Sequence, residues 1–331
     1  MRFLSRKPGL ERIWQICIIL IATSSFLSAK DWDIVTIEGR EYVTATNVAN
    51  FYKIERLERQ GNKRIFRHPS LIMEWTIGTQ AIYVNRIKFN LSLNIAEIKG
   101  HALISTVDLA KLIDPVVRPS YIKKPIDFDT VVIDPGHGGH DTGAKGRKGF
   151  EKNYNLDLSL RLKSALERRG FRIVMTRSDD RFIELGHRVA IANAQKRAIF
   201  ISIHHNSTAG RTATGVETYA LAPQGTASTN EANRAGWSSS LSGNIRDAEN
   251  IALATAVHAH VIHDLKPTDR GIKRARFNVL RGINKPAILY EGGFLTNPTE
   301  AAKIHDPAYR QRTAESIANA VVKFKSAVGK K

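Results

Sequence analysis

The sequence has a single cysteine, Cys17, among its 331 residues. One thiol excludes an intramolecular disulfide and any cysteine-built zinc module. Acidic residues are few beside basic ones: 31 Asp and Glu stand against 50 Lys and Arg, for a net charge of +19. That imbalance calls for an anionic partner, whether nucleic acid, a membrane surface or an acidic wall polymer. No apolar run reaches the ~20 residues that span a bilayer, and mean hydropathy is slightly negative. A multi-span membrane protein is thereby excluded. The sequence also lacks an HExxH pair, which excludes a helical two-histidine zinc site. The 42% hydrophobic and 8% aromatic content excludes a wholly disordered or collagen-like chain. The length allows two or three domains with a sizeable core.

Residues 1–29 have the layout of a secretory signal peptide. Arg2, Arg6, Lys7 and Arg12 form a basic start, 13–22 an apolar stretch, and Ser28-Ala29 a small-residue cleavage site. A retained membrane anchor is the alternative. Cleavage after Ala29 leaves a cysteine-free chain exported to the periplasm or cell envelope. It removes four basic residues and one acid, so the net charge falls only to +16. An exported protein with that excess meets anionic envelope polymers, and no nucleic-acid partner is expected.

Residues 30–117 read as a small α+β module with an internal repeat. Segment 39–49 lines up with 100–110: each has a turn glycine, a short strand and a hydroxyl helix cap, Thr44 or Ser105. Ser105 and Asp108 resemble a capping box with Asp in place of Glu. The pattern resembles the small amine-oxidase-like N-terminal modules attached to cell-wall proteins. The basic run 53–67 is either a solvated hairpin or a patch for anionic glycan. The proline-bounded stretch 118–126 reads as a linker.

Residues 127–331 alternate strand and helix signals. Apolar runs at 128–134, 171–176, 198–203, 215–221 and 286–290 read as buried strands. Helical patterns lie at 153–169, 188–196, 250–265 and 313–324. The predicted fold class is α/β, a twisted and mostly parallel sheet flanked by helices. Three strands end in a group fit for metal or acid–base chemistry: His137 within a glycine-rich turn, His204, and Glu291. Glu151 follows the first of these at a helix start. Open sheets bind ligands at strand C-termini. Catalytic zinc typically takes three N/O protein ligands, which two histidines and one glutamate would supply, leaving a further glutamate as base.

Four motifs in order then give a specific resemblance: 133–139 (IDPGHGG), Glu151 before an amphipathic helix, 202–206 (SIHHN) and 289–297 (LYEGGFLTN). Residues 128–325 resemble the zinc-dependent N-acetylmuramoyl-L-alanine amidases of the amidase 3 type. The resemblance implies hydrolysis of the amide between muramic acid and the L-alanine of peptidoglycan stem peptides. It implies one Zn2+ per chain on His137, Glu151 and His204, with Glu291 as catalytic carboxylate. His205 adjoins His204, and strand alternation lets only one of them reach a metal; His204 is favoured. A catalytically silent wall-binding protein on the same fold, or a zinc peptidase cutting another envelope amide, are the alternative functions.

Further candidates carry open readings. Asp134 orients a zinc histidine or bonds strand-end turns. Asn206 binds substrate or caps the next element. His140 and Asp141 are read as turn structure, and His258, His260 and His263 as ordinary helix surface. The basic stretch 266–285 is a solvated loop or a substrate surface, with Arg274 and Asn278 as candidate contacts. Segment 222–243, rich in Ser, Thr, Asn, Ala and Gly, is a loop. Were it a lid over the groove, a protein activator would be a further partner beside peptidoglycan.

Overall fold

A computed structural model describes residues 32–146, 148–229 and 239–328. The predicted signal peptide, and part of segment 222–243, lie outside the described residues. The first part of the chain carries β1 (Ile34–Ile37), β2 (Arg40–Thr44), β3 (Arg56–Gln60), β4 (Lys63–His68), β5 (Leu71–Thr76), β6 (Ala81–Val84), β7 (Ile87–Asn90), β8 (Ala96–Ile98) and β9 (His101–Ser105). The predicted repeat is visible as two strand-to-helix turns. Thr44 accepts from the Asn47 amide and Ser105 from the Asp108 amide, each hydroxyl capping a helix start. Strands β2 and β9 pair antiparallel, so the two copies lie side by side.

The second part carries β10 (Thr130–Pro135), the short hairpin β11 (Lys145–Gly146) and β12 (Gly149–Phe150), then β13 (Arg172–Met175), β14 (Ala198–Asn206), β15 (Val216–Leu221), β16 (Asp269–Ala275) and β17 (Ala287–Phe294). Strands β13, β10, β14 and β17 run parallel in that order. Strand β15 runs antiparallel to β17, and β16 is parallel to β15. Helices Glu151–Glu167, Asp247–Leu265 and Pro307–Ala327 cover one face and bury Ile199, Ile201, Ile203, Ile288 and Tyr290. The shorter helices Leu185–Asn193 and Asn278–Gly282 pack on the opposite face, against a cluster with Phe200, Tyr219 and Leu289.

Part of the small module joins the sheet of the catalytic part. Strand β7 pairs parallel with β16 through Phe89 and Ile272. A single 11-stranded sheet results, in the order β13-β10-β14-β17-β15-β16-β7-β6-β5-β4-β3, beside a four-stranded sheet β1-β2-β9-β8. Three further bonds tie the parts together. Asp269 accepts from the Lys88 amide at 2.9 Å, Asn90 donates to the Ile272 carbonyl at 3.3 Å, and Glu249 accepts from the Ile126 amide at 2.7 Å. Phe66, Met73, Trp75, Ile82 and Phe89 belong to the same core as the catalytic helices.

Three expectations are corrected here. Residues 269–275, read as basic loop, are strand β16. Arg274 is no substrate contact: it is buried in an ion pair with Asp108 of the small module, at 2.6 Å. Its partner lies 166 residues away, and within 266–285 itself a single acid, Asp269, stands among seven cations. His258 is fully buried rather than surface. Its ring bonds Thr218 Oγ1 at 3.0 Å and Asp269 Oδ1 at 2.9 Å. His263 is exposed, as expected.

Candidate active site

Three groups converge at the C-terminal ends of β10 and β14. His137 follows β10 with φ of 63°, a left-handed conformation uncommon outside glycine. Buried arginines hold that turn. Arg188 donates to the Pro135 carbonyl at 2.8 Å and to the His137 carbonyl at 2.8 Å, while Arg177 donates to Pro135 and Gly136 carbonyls at 2.9 and 2.8 Å. Asp134 anchors Arg188 at 2.7 Å and also accepts from Thr176 and Ser202 hydroxyls. Asp134 therefore does not orient a histidine directly; it locks the arginine that fixes the turn.

Glu151 opens helix Glu151–Glu167 and is buried. Its Oε2 lies 3.1 Å from His137 Nε2, and its Oε1 lies 3.0 Å from His204 Nδ1. One ligand atom from each of the three residues falls within 4.8 Å of the others. The Glu151 carboxylate also accepts from Asn155 and from the amides of His205 and Ala144. Burial works against its charge, but the His137 and His204 imidazoles outweigh it and hold the carboxyl well below its ordinary range. His137 is held above its ordinary value despite burial, because Glu151 and Asp141 face it. Asp141 Oδ2 meets His137 Nδ1 at 2.8 Å. Asp141, read from sequence as turn structure, thus has the orienting part offered to Asp134.

The space around the cluster fits an ion. A Cβ on Gly136 would lie 2.2 Å from the His204 ring, and one on Gly143 would lie 2.5 Å from Glu151 Oε2 and 2.6 Å from His137. Both glycines are cut to the ligand side chains. Two imidazoles and one carboxylate match the donor set of a catalytic zinc. His205 points away: it is buried, bonds Asn155 Oδ1 at 2.8 Å, and burial lowers its pKa to about 4.

Glu291 sits beside the cluster because β17 pairs with β14 in a register that sets Glu291 opposite His204. Its Oε2 is buried and has no hydrogen-bond partner among the described residues. Burial, with the Glu151 and Glu217 carboxylates nearby, raises its pKa well above the ordinary value. Asn206 donates to Glu217 at 3.3 Å. Glu217, which sequence reading passed over, also bonds Lys273 at 2.8 Å and Arg270. Asn278 is exposed at the start of its short helix and accepts from Arg281 at 3.5 Å.

Two histidines and a glutamate that could hold a metal ion stand at the strand ends of an open α/β sheet, beside a glutamate on the next strand, an arrangement suited to hydrolysis. The sequence profile of Amidase_3, N-acetylmuramoyl-L-alanine amidase, matches residues 131–323. The uncharacterized protein YqiI of Bacillus subtilis is 35% identical over 198 residues, 60% of this chain and 85% of that protein. N-acetylmuramoyl-L-alanine amidase AmiA of Escherichia coli is 32% identical over 217 residues, covering 59% and 75%. Among solved structures, an N-acetylmuramoyl-L-alanine amidase from Clostridium difficile 630 superposes with a TM-score of 0.52 at 35% identity, over 61% of this chain and 98% of that one. The chain belongs to the N-acetylmuramoyl-L-alanine amidase family, Amidase 3.

Proposed function

We infer that this chain is a zinc-dependent peptidoglycan amidase of the cell envelope, cutting between N-acetylmuramic acid and L-alanine. The observation that carries the reading is the His137–Glu151–His204 cluster with Glu291 opposite His204 and one Glu291 oxygen unpartnered. In this reading His137, Glu151 and His204 hold the ion and Asp141 fixes the His137 imidazole. Bound zinc supplies positive charge that polarises an amide carbonyl and acidifies water.

Glu291 takes the proton from the attacking water. It then delivers that proton to the departing L-alanine nitrogen. Glu217, paired with Arg270 and Lys273, keeps a fixed charge beside it. Residues 1–29 act as the export signal, giving a periplasmic or wall-associated enzyme. Residues 30–117 form a wall-associated module and 118–126 its connection to the catalytic unit.

Product mapping tests the proposal. Digested sacculi are separated and weighed by mass spectrometry, with and without a chelator. Intact stem peptides with a free L-alanine amine, lost on chelation and restored by zinc, are the expected products. Cleavage inside the peptide instead would make the chain a peptidase and overturn the reading.

A further inference from the structure

The two faces of the large sheet can be followed strand by strand, because paired residues on neighbouring strands share a face and successive residues alternate. His204 pairs with Glu291, Glu291 with Glu217, and Tyr219 with Lys273, so these project from one face. At the junction, Ile272 pairs with Phe89, and both are buried on the opposite face, the one covered by the three long helices. Lys88 therefore emerges on the face that carries Glu291. Lys88 pairs with Tyr83, Tyr83 with Glu74, Glu74 with Ile65, and Ile65 with Glu58. The active-site face thus runs on across β7 to β3.

On that stretch the two sides of the sheet differ sharply. The inner side buries Phe66, Met73, Trp75, Ile82 and Phe89 completely. The outer side leaves Ile72 40% exposed and Tyr83 half-buried. Five cations stand on it or at its turn: Arg56, Lys63, Arg67, Arg86 and Lys88. Glu58 answers Arg56 and Arg67, and Glu74 answers Lys63. Arg86 and Lys88 have no ion-pair partner among the described residues. Tyr83, Ile72, Arg86, Lys63 and the Lys63-paired Glu74 line a depression of about 380 Å³.

We propose that this uncovered face of β3–β7 is a docking surface for the peptidoglycan strand that the enzyme cuts, an anionic saccharide–peptide polymer. The proposal rests on the amidase reading and extends it. Stem-peptide carboxylates meet the cations, and a sugar ring lays its apolar edge on Tyr83 and Ile72. Strand spacing of about 4.8 Å sets β6 some four steps, about 19 Å, from Glu291 on β17, and β3 seven steps, about 34 Å, away. Only an extended ligand reaches both. The excess of cations favours the anionic substrate polymer over a folded protein.

The test uses the full chain carrying Glu291→Gln, so that the polymer survives, and sediments it with sacculi stripped of phosphodiester polymers. Tyr83→Ala and Arg86→Glu, made separately, are each expected to weaken binding about tenfold, equivalent to about 1.4 kcal/mol. With Glu291 intact, the same variants slow sacculus digestion by a similar factor and leave kcat/KM on a soluble single-unit muropeptide unchanged. Unaltered binding and digestion in both variants overturn the proposal. So does binding that appears only with phosphodiester polymers or anionic vesicles. If the parent enzyme cleaves no muropeptide, the amidase reading fails, while sedimentation still decides the docking surface.

Discussion

Glu217 and Glu291 stand directly opposite each other on the antiparallel strands β15 and β17. Like charges in that position repel. The structure resolves the conflict unequally. Glu217 receives Lys273, Arg270, the Tyr219 hydroxyl at 2.6 Å and Asn206, and its pKa stays below the ordinary value although burial opposes that. Glu291 receives none of these donors and its pKa rises. One carboxylate is a fixed charge and the other is available for proton transfer.

Lys273→Met removes a nearly buried cation from Glu217. Breaking such a pair costs about 3 kcal/mol, and we expect a loss of that size in the unfolding free energy from urea titration. An unfolding free energy equal to the parent's would mean that Arg270, Tyr219 and Asn206 together satisfy Glu217.

Glu291→Gln keeps the shape of the side chain and removes its base. Zinc content by mass spectrometry should equal that of the parent, with turnover on muropeptides reduced about 10²–10⁴-fold. Parent-like turnover would remove Glu291 from the mechanism.

Asp141→Asn leaves all three ligand residues in place but weakens the bond that orients His137. Outer partners of this kind are worth about 10–100-fold in metal affinity. Competition against a coloured chelator should show zinc released at correspondingly lower chelator concentration. Identical competition curves would return Asp141 to the turn role.

Arg274→Met breaks the buried pair with Asp108. A stability loss of about 3–5 kcal/mol is expected, with KM for a soluble muropeptide unchanged for the folded fraction. A raised KM without lost stability would restore Arg274 as a substrate contact.

Asp269 gives a pH signature. Burial disfavours its charge, but His258 and the Lys88 and Gly271 amides prevail and lower its pKa below 3.8. A depressed carboxyl stabilises the fold above the unfolded value, and that contribution fades as pH falls through the folded value. The parent should therefore lose stability below about pH 4 more steeply than Asp269→Asn, in urea midpoints recorded from pH 7 to pH 3. Parallel curves would sink the assignment.

The strands that carry the site were legible because parallel strands buried on both faces read as unbroken apolar runs, as 198–203 does. The ligand residues stood out because each sits where such a run ends. Strand β16 was not legible. Its Lys273 and Arg274 look solvated until Glu217 and Asp108 appear from other parts of the fold. His258 was misread for the same reason, since Thr218 lies forty positions away. Asp141 was undervalued because a turn acid and an orienting acid have the same local sequence. The pairing of β7 with β16 joins residues 89 and 272 and left no periodic trace in either segment.

That pairing bears on how the protein can be divided. Strand β16 has β15 on one side and β7 on the other. A chain begun at the linker would leave the outer edge of β16 with amides and carbonyls open to any extended partner, and unpaired edges of this kind invite self-association. It would also strip Arg274 of Asp108 and Asp269 of the Lys88 amide. The segment before residue 118 is in that sense a protective selvage for the catalytic sheet, and a catalytic unit produced alone calls for a redesigned edge.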